Sequence, residues 1–118
     1  MRLLSLVVIF FLCSSVVFAY PQIDYRSVSL EDQKIYNHIA ESIDERHYNG
    51  VTKIIVYGKE MWGNANGIYF SDSGIILIDH NGVLDFQYVI NHELTHNKCW
   101  KEKRDLSHDS QCFTNGLD

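Results

Sequence analysis

Basic residues are scarce in this 118-residue chain: 10 Lys and Arg stand against 15 Asp and Glu, a formal charge of −5. That balance argues against a general nucleic-acid binder, which needs net positive charge to engage phosphates. Beyond residue 19 no apolar run matches the length of the one at residues 3–12, so no second membrane-length segment is present. Proline occurs once, at Pro21, and there are no internal repeats or low-complexity segments, which excludes a repeat array. Cysteine occurs three times, and only Cys99 and Cys112 fall outside the first 19 residues. What the chain does have is apolar content, 46% of residues, enough to exclude wholesale disorder. Its length allows one domain.

The first 19 residues read as a removable secretory leader. Met1-Arg2 supplies one positive charge, residues 3–12 an apolar stretch, and Val17 and Ala19 small side chains at the −3 and −1 sites of a cut before Tyr20. The rival reading, an uncleaved anchor helix, needs a longer apolar run. Cys13 lacks a lipoprotein-type context. Cleavage would leave 9 basic and 15 acidic residues, a formal −6, in a secreted domain over residues 20–118, extracellular or periplasmic and without membrane attachment. Such a chain of about 99 residues buries a bit over 60% of its unfolded surface, so a staple or a metal would help it fold. Cys99 and Cys112 can then make one pairing, closing a loop of roughly 14 residues worth about 3 kcal/mol. Two free thiols or two zinc ligands are the alternatives.

Residues 20–27 form a lead-in. Ser29 followed by Leu30-Glu31-Asp32 predicts a helix start, with serine as cap and acids facing the helix dipole. Leu30, Ile35, Tyr36, Ile39 and Ile43 continue it, fading near residues 46–48 before Asn49-Gly50. Residues 51–58 predict a strand, 62–67 a loop, and 68–70 with 75–78 a hairpin turned by Ser71-Asp72-Ser73-Gly74. Asp79-His80-Asn81-Gly82 is a second turn, and a second helix runs from Leu84 to about Trp100. No periodicity follows from 101 to 118. Lys98, Lys101, Lys103 and Arg104 read as a solvated helix end, with substrate steering as the alternative.

The chemistry lies in Asn91-His92-Glu93-Leu94-Thr95-His96-Asn97. Histidines four apart on a helix share a face, and two imidazoles so placed can ligate one zinc ion. Glu93, directly after the first ligand, is suited to act as general base on an activated water. A metzincin pattern fails, because it would need Gly and His where Cys99 and Glu102 stand, and no Glu follows Glu102 to act as a distant carboxylate ligand. His108, twelve residues after His96, is the favoured third ligand; Asp105 and Asp109 are weaker candidates, and Asp109 could instead accept a hydrogen bond behind a ligand. Tyr69, Tyr88 and His80 are candidate donors to a developing oxyanion. His38 and His47 read as surface residues, Trp62, Tyr69, Phe70 and Phe86 as core or cleft lining, and Asn64-Ala65-Asn66-Gly67 as a possible cleft border.

The run His92-Glu93-Leu94-Thr95-His96-Asn97, then His108-Asp109 and Phe113, resembles the SprT-like and WLM families of small zinc metalloproteases. Their third histidine lies in a His-(Gly/Asp/Asn)-x-x-(Phe/Trp) motif; here Cys112 occupies the aromatic position and Phe113 follows it. The resemblance covers about residues 30–113. It implies an α+β, zincin-like minimal domain ordered as helix, small antiparallel sheet, HExxH helix and C-terminal loop. It also implies zinc ligands His92, His96 and His108, Glu93 as base, and an edge strand at 68–70 or 75–78 that pairs with an extended peptide. Intracellular relatives act on DNA–protein crosslinks through extensions that this acidic chain lacks, so the fold and the zinc chemistry carry over and the DNA role does not. A bridge between Cys99 and Cys112 would tie the loop bearing His108 to the HExxH helix.

The expectation is therefore a secreted zinc endopeptidase with one Zn2+ per chain and a peptide or protein substrate. The rivals are a non-enzymatic, zinc-stabilised effector or binding module of the same fold, and a hydrolase directed at peptidoglycan or small peptides. Intact Glu93 favours the enzyme, since a purely structural site has no need of it.

Overall fold

A computed structural model describes residues 20–58, 66–80 and 83–117, with the side chains of residues 83 and 84 outside the description. Residues 1–19, which the sequence reading takes as a leader, and Trp62, Asn64, Ala65, Asn81 and Gly82 lie outside the described residues. The architecture is α+β: β1 (Ile23–Arg26), α1 (Leu30–Ser42), a 3-10 turn (Glu45–Tyr48), β2 (Lys53–Tyr57), β3 (Gly67–Phe70), β4 (Ile75–Asp79), α2 (Val83–Lys103) and α3 (Gln111–Asn115).

α1 starts where its cap chemistry puts it. The Ser29 hydroxyl accepts the Asp32 N–H at 3.1 Å, and Glu31 and Asp32 occupy the first turn. It ends at Ser42, earlier than its apolar spacing predicts. Ile43 turns extended, and Asp44 caps the separate 3-10 turn by accepting the Arg46 N–H at 3.0 Å.

The sheet is mixed, in the order β1-β2-β4-β3, which corrects the expected antiparallel sheet. β1 and β4 both run parallel to β2, and only the β3–β4 hairpin is antiparallel. The β1 strand falls in the stretch read as a lead-in, and it returns through α1 and the 3-10 turn to make a β-α-β unit with β2. At the hairpin turn, Gly74 has φ +74°, and a Cβ there would come within 2.3 Å of the Gly50 carbonyl oxygen. Glycine lets that turn pack against the 49–50 bend, and the Thr52 N–H donates to the Gly74 carbonyl at 2.9 Å.

One face of the sheet carries the core. Ile54 pairs in register with Ile76 and Val56 with Ile78, and all four are fully buried. Against them pack Tyr36 and Ala40 of α1 and Phe86, Val89, Ile90 and Leu94 of α2. The α2 residues recur at three- and four-residue steps, as one buried helix stripe requires. Each such side chain stabilises by roughly 1.5–3 kcal/mol on full burial. The Tyr36 and Phe86 rings stack at 4.2 Å and join the two helices. With its inner stripe anchored, α2 presents its adjoining face, from Tyr88 to His96, at the sheet edge formed by β3. Among the described residues no helix is long and apolar enough to cross a membrane.

Candidate metal centre

Three imidazoles converge beside α2. The Nε2 of His108 lies 3.1 Å from the Nε2 of His92 and 3.1 Å from that of His96, and the ligand atoms of all three fall within 4.8 Å of one another. Two nitrogens each 2.0–2.1 Å from one ion at a tetrahedral angle stand about 3.3 Å apart, so the spacing suits a shared metal. His92, His96 and His108 could therefore hold a metal ion. Asp105 and Asp109 are not in the group: the Asp105 carboxylate accepts the Ser107 N–H at 2.8 Å, and Asp109 is exposed.

The electrostatics favour neutral imidazoles. Burial lowers the His96 pKa to about 4, with His92 and His108 adding to the effect. Burial, then His108, lowers that of His92. A metal ligand must be deprotonated, so this environment leaves the nitrogen lone pairs free to coordinate. The buried Nδ1 of His96 has no hydrogen-bond partner among the described residues.

His108 reaches the helix because the segment carrying it is fastened at several points. Cys99, fully buried on α2, is bonded to Cys112 on α3 with Cα atoms 5.8 Å apart. The Lys98 ammonium donates to the Gly116 carbonyl at 2.7 Å. Ser110 caps α3, its hydroxyl accepting the Phe113 N–H at 3.1 Å. Phe113 then sits under the whole cluster, its ring centroid 4.9, 4.7 and 4.9 Å from those of His92, His96 and His108. The five-residue helix was not legible as periodicity. The signal that could have found it is the Ser110 cap three residues before an aromatic.

Glu93 points away from the histidines' outer side, into the gap between α2 and β3. It is 4% exposed, and burial pushes its carboxyl up to about 7. A cleft of about 170 Å³ bordered by Asn66, Gly67, Tyr88, Val89, His92 and Glu93 gives access to it. Asn66 and Gly67 thus do border the cleft, as the sequence suggested.

The candidate donors separate by what they touch. Tyr69 donates to Asn97 Oδ1 at 3.1 Å, and His80 contacts the Tyr36 hydroxyl through Nδ1 and Asp32 at 3.3 Å through Nε2. Tyr88, 70% exposed, is the one of the three beside the cluster, its ring 5.9 Å from that of His92. Asn97 is a residue that sequence reasoning passed over: fully buried directly after His96, it accepts from Tyr69 and donates to the Asn49 carbonyl at 2.9 Å. It locks α2 to β3 and to the bend after the 3-10 turn. Lys98 and Lys101 are likewise more than a solvated helix end, since Lys101 donates to the Asn49 carbonyl. His38 is exposed on α1, whereas His47 lies half-buried in the 3-10 turn. Phe86 is core and Phe70 is 41% exposed.

No protein family, curated protein or solved structure matches the chain.

Proposed function

We propose that the protein is a zinc-dependent endopeptidase of minimal, zincin-like build, acting outside the cytoplasm once residues 1–19 are removed. The observation that carries the reading is the convergence of three imidazole nitrogens next to a buried carboxylate that faces an open cleft. A purely structural zinc site is closed by four protein ligands. Among the described residues this one gathers three, and Glu93 borders the same cleft as His92.

Zinc held by His92, His96 and His108 would supply Lewis acidity that activates a water and offsets the charge developing on the scissile carbonyl. The protein's own part is proton handling and placement. Glu93 accepts the proton of the attacking water and returns it to the departing amine. Its burial keeps the proton affinity high enough for both transfers near neutral pH. Gly67, the first residue of β3, and Asn66 just before it lie across the cleft, where an extended peptide can pair with the strand edge and bring its carbonyl toward Glu93. Phe113 and the Cys99–Cys112 bridge hold the third ligand in place before substrate arrives.

Replacing His108 by alanine tests the reading. The variant should lose zinc affinity by a hundredfold or more and lose cleavage of an unfolded protein substrate with it. Retained zinc and retained cleavage in folded His108→Ala protein would overturn the assignment.

A further inference from the structure

Two cavities run end to end along α2, and His47 and Leu117 line both. The first, about 590 Å³, opens beside His92, with Thr95 and Phe113 in its wall. The second, about 440 Å³, is lined by Arg46, Lys98, Lys101 and Glu102. Tyr88, His92, Thr95, Lys98 and Glu102 follow one another at three- and four-residue steps, so a single stripe of the helix floors both. The 3-10 turn forms the facing wall.

The far end of this groove is cationic in a chain whose formal charge is −5. Lys98 and Lys101 donate to the carbonyl oxygens of Gly116 and Asn49, which are neutral acceptors. Glu102 sits beside Lys101 and acts on its charge, whereas Lys98 stands in no ion-pair contact with a carboxylate among the described residues, so its charge is left for a ligand to answer. Arg46 adds a third cation, sharing an exposed pair with Asp44 at 3.7 Å. Glu102 is the single acid lining that end.

We propose that the groove receives the length of peptide next to the cleaved bond and selects an acidic residue within it. This rests on the peptidase reading and names its substrate class. Lys98 lies six residues beyond His92, about 9 Å along the helix axis. An extended peptide covers that distance in about three residues. The selected carboxylate therefore sits about three positions from the scissile bond, on the side that runs toward the 3-10 turn. Charge complementarity of this kind contributes chiefly to selection and encounter rate, and it weakens with salt.

The experiment sequences the products that the zinc-loaded protein makes from a mixed peptide library. It also measures, by fluorescence anisotropy, the binding of a labelled Glu-containing peptide and its Gln counterpart to metal-free protein. Asp and Glu should be enriched about fivefold two to four residues to one side of the cut. The Glu peptide should bind about fivefold tighter at low salt, the gain shrinking at 0.5 M salt. Both effects should vanish in Arg46→Gln/Lys98→Gln protein and persist in Lys98→Arg, which keeps the charge and the tie to Gly116. Cleavage without acidic enrichment would overturn this proposal and leave the peptidase reading standing. Selective binding of the Glu peptide without cleavage by the wild type would overturn the peptidase reading and keep the acidic-peptide groove. Equal binding of the two peptides, with no cleavage, would overturn both.

Discussion

The backbone of Gly67 on β3 closes directly over the side chain of Glu93. A Cβ at position 67 would come 3.0 Å from Glu93 Oε2, 3.1 Å from its Cγ and 2.5 Å from Val89 Cγ1. Val89 is buried and stiff at χ1, so it cannot swing aside. The absent side chain is what lets the edge strand lie against the carboxylate. Gly67→Ala should therefore destabilise the fold by about 1–3 kcal/mol and lower cleavage at least tenfold. None of the three histidines is touched, so zinc affinity should stay within about threefold of wild type. Thermal denaturation, metal competition and peptide hydrolysis on the same preparation check the three parts separately.

The Phe113 ring lies against all three imidazoles, with centroids 4.7–4.9 Å away, and is placed to hold their orientation. Removing residues that hold metal ligands in place costs metal affinity about 10- to 100-fold. Phe113→Ala should show a loss in that range by competition with a chelating dye, and Phe113→Leu, which keeps most of the packing volume, a smaller one. Equal zinc affinity in the alanine variant would show that the ring only fills space.

The Cys99–Cys112 bond spans 13 residues of sequence, and His108 lies inside that loop. Opening it frees a closed loop whose chain-entropy contribution is about 3 kcal/mol. Cys99→Ser/Cys112→Ser protein should unfold at correspondingly lower denaturant, and its zinc affinity should fall, because His108 must be ordered at the moment of binding. Calorimetric zinc titration of oxidised and dithiol-reduced wild type should give the same ranking.

Two buried groups make the metal-free protein respond to pH in opposite directions. Glu93 has its pKa raised from 4.5 to about 7, so its contribution to stability is present below pH 4.5 and is lost as pH rises toward 7. His96 has its pKa lowered from 6.5 to about 4, so its contribution is present above pH 6.5 and is lost as pH falls toward 4. Between these limits the two offset each other. Glu93→Gln removes the first effect alone. Metal-free Glu93→Gln protein should be more stable than metal-free wild type at pH 7.5, by on the order of 2 kcal/mol. The two should match near pH 4.5, where wild-type Glu93 is itself neutral. Urea denaturation at the two pH values reads the difference.

The site was more legible in the sequence than the sheet. His92 and His96 follow from helix periodicity, and the cap at Ser29 and the turn at residues 71–74 from local chemistry. The disulfide followed from there being only two cysteines beyond residue 19. The parallel pairing of β2 with both β1 and β4 is a non-local choice, made by Ile54, Val56, Ile76 and Ile78 meeting in register, and no local spacing encodes it. β1 itself is four residues with Asp24 and Arg26 on alternate positions, too short and too charged to read as a strand. Asn97 escaped notice because its meaning lies entirely in what it touches: Tyr69 and Asn49 come from elements 28 and 48 residues away.

Metal analysis paired with peptide cleavage, on wild type and Glu93→Gln both lacking residues 1–19, tests the zinc-peptidase reading at its core. One zinc per chain is expected in both proteins, with cleavage by the wild type alone. Folded protein that binds no zinc, or Glu93→Gln protein that cleaves as fast as wild type, would contradict that reading.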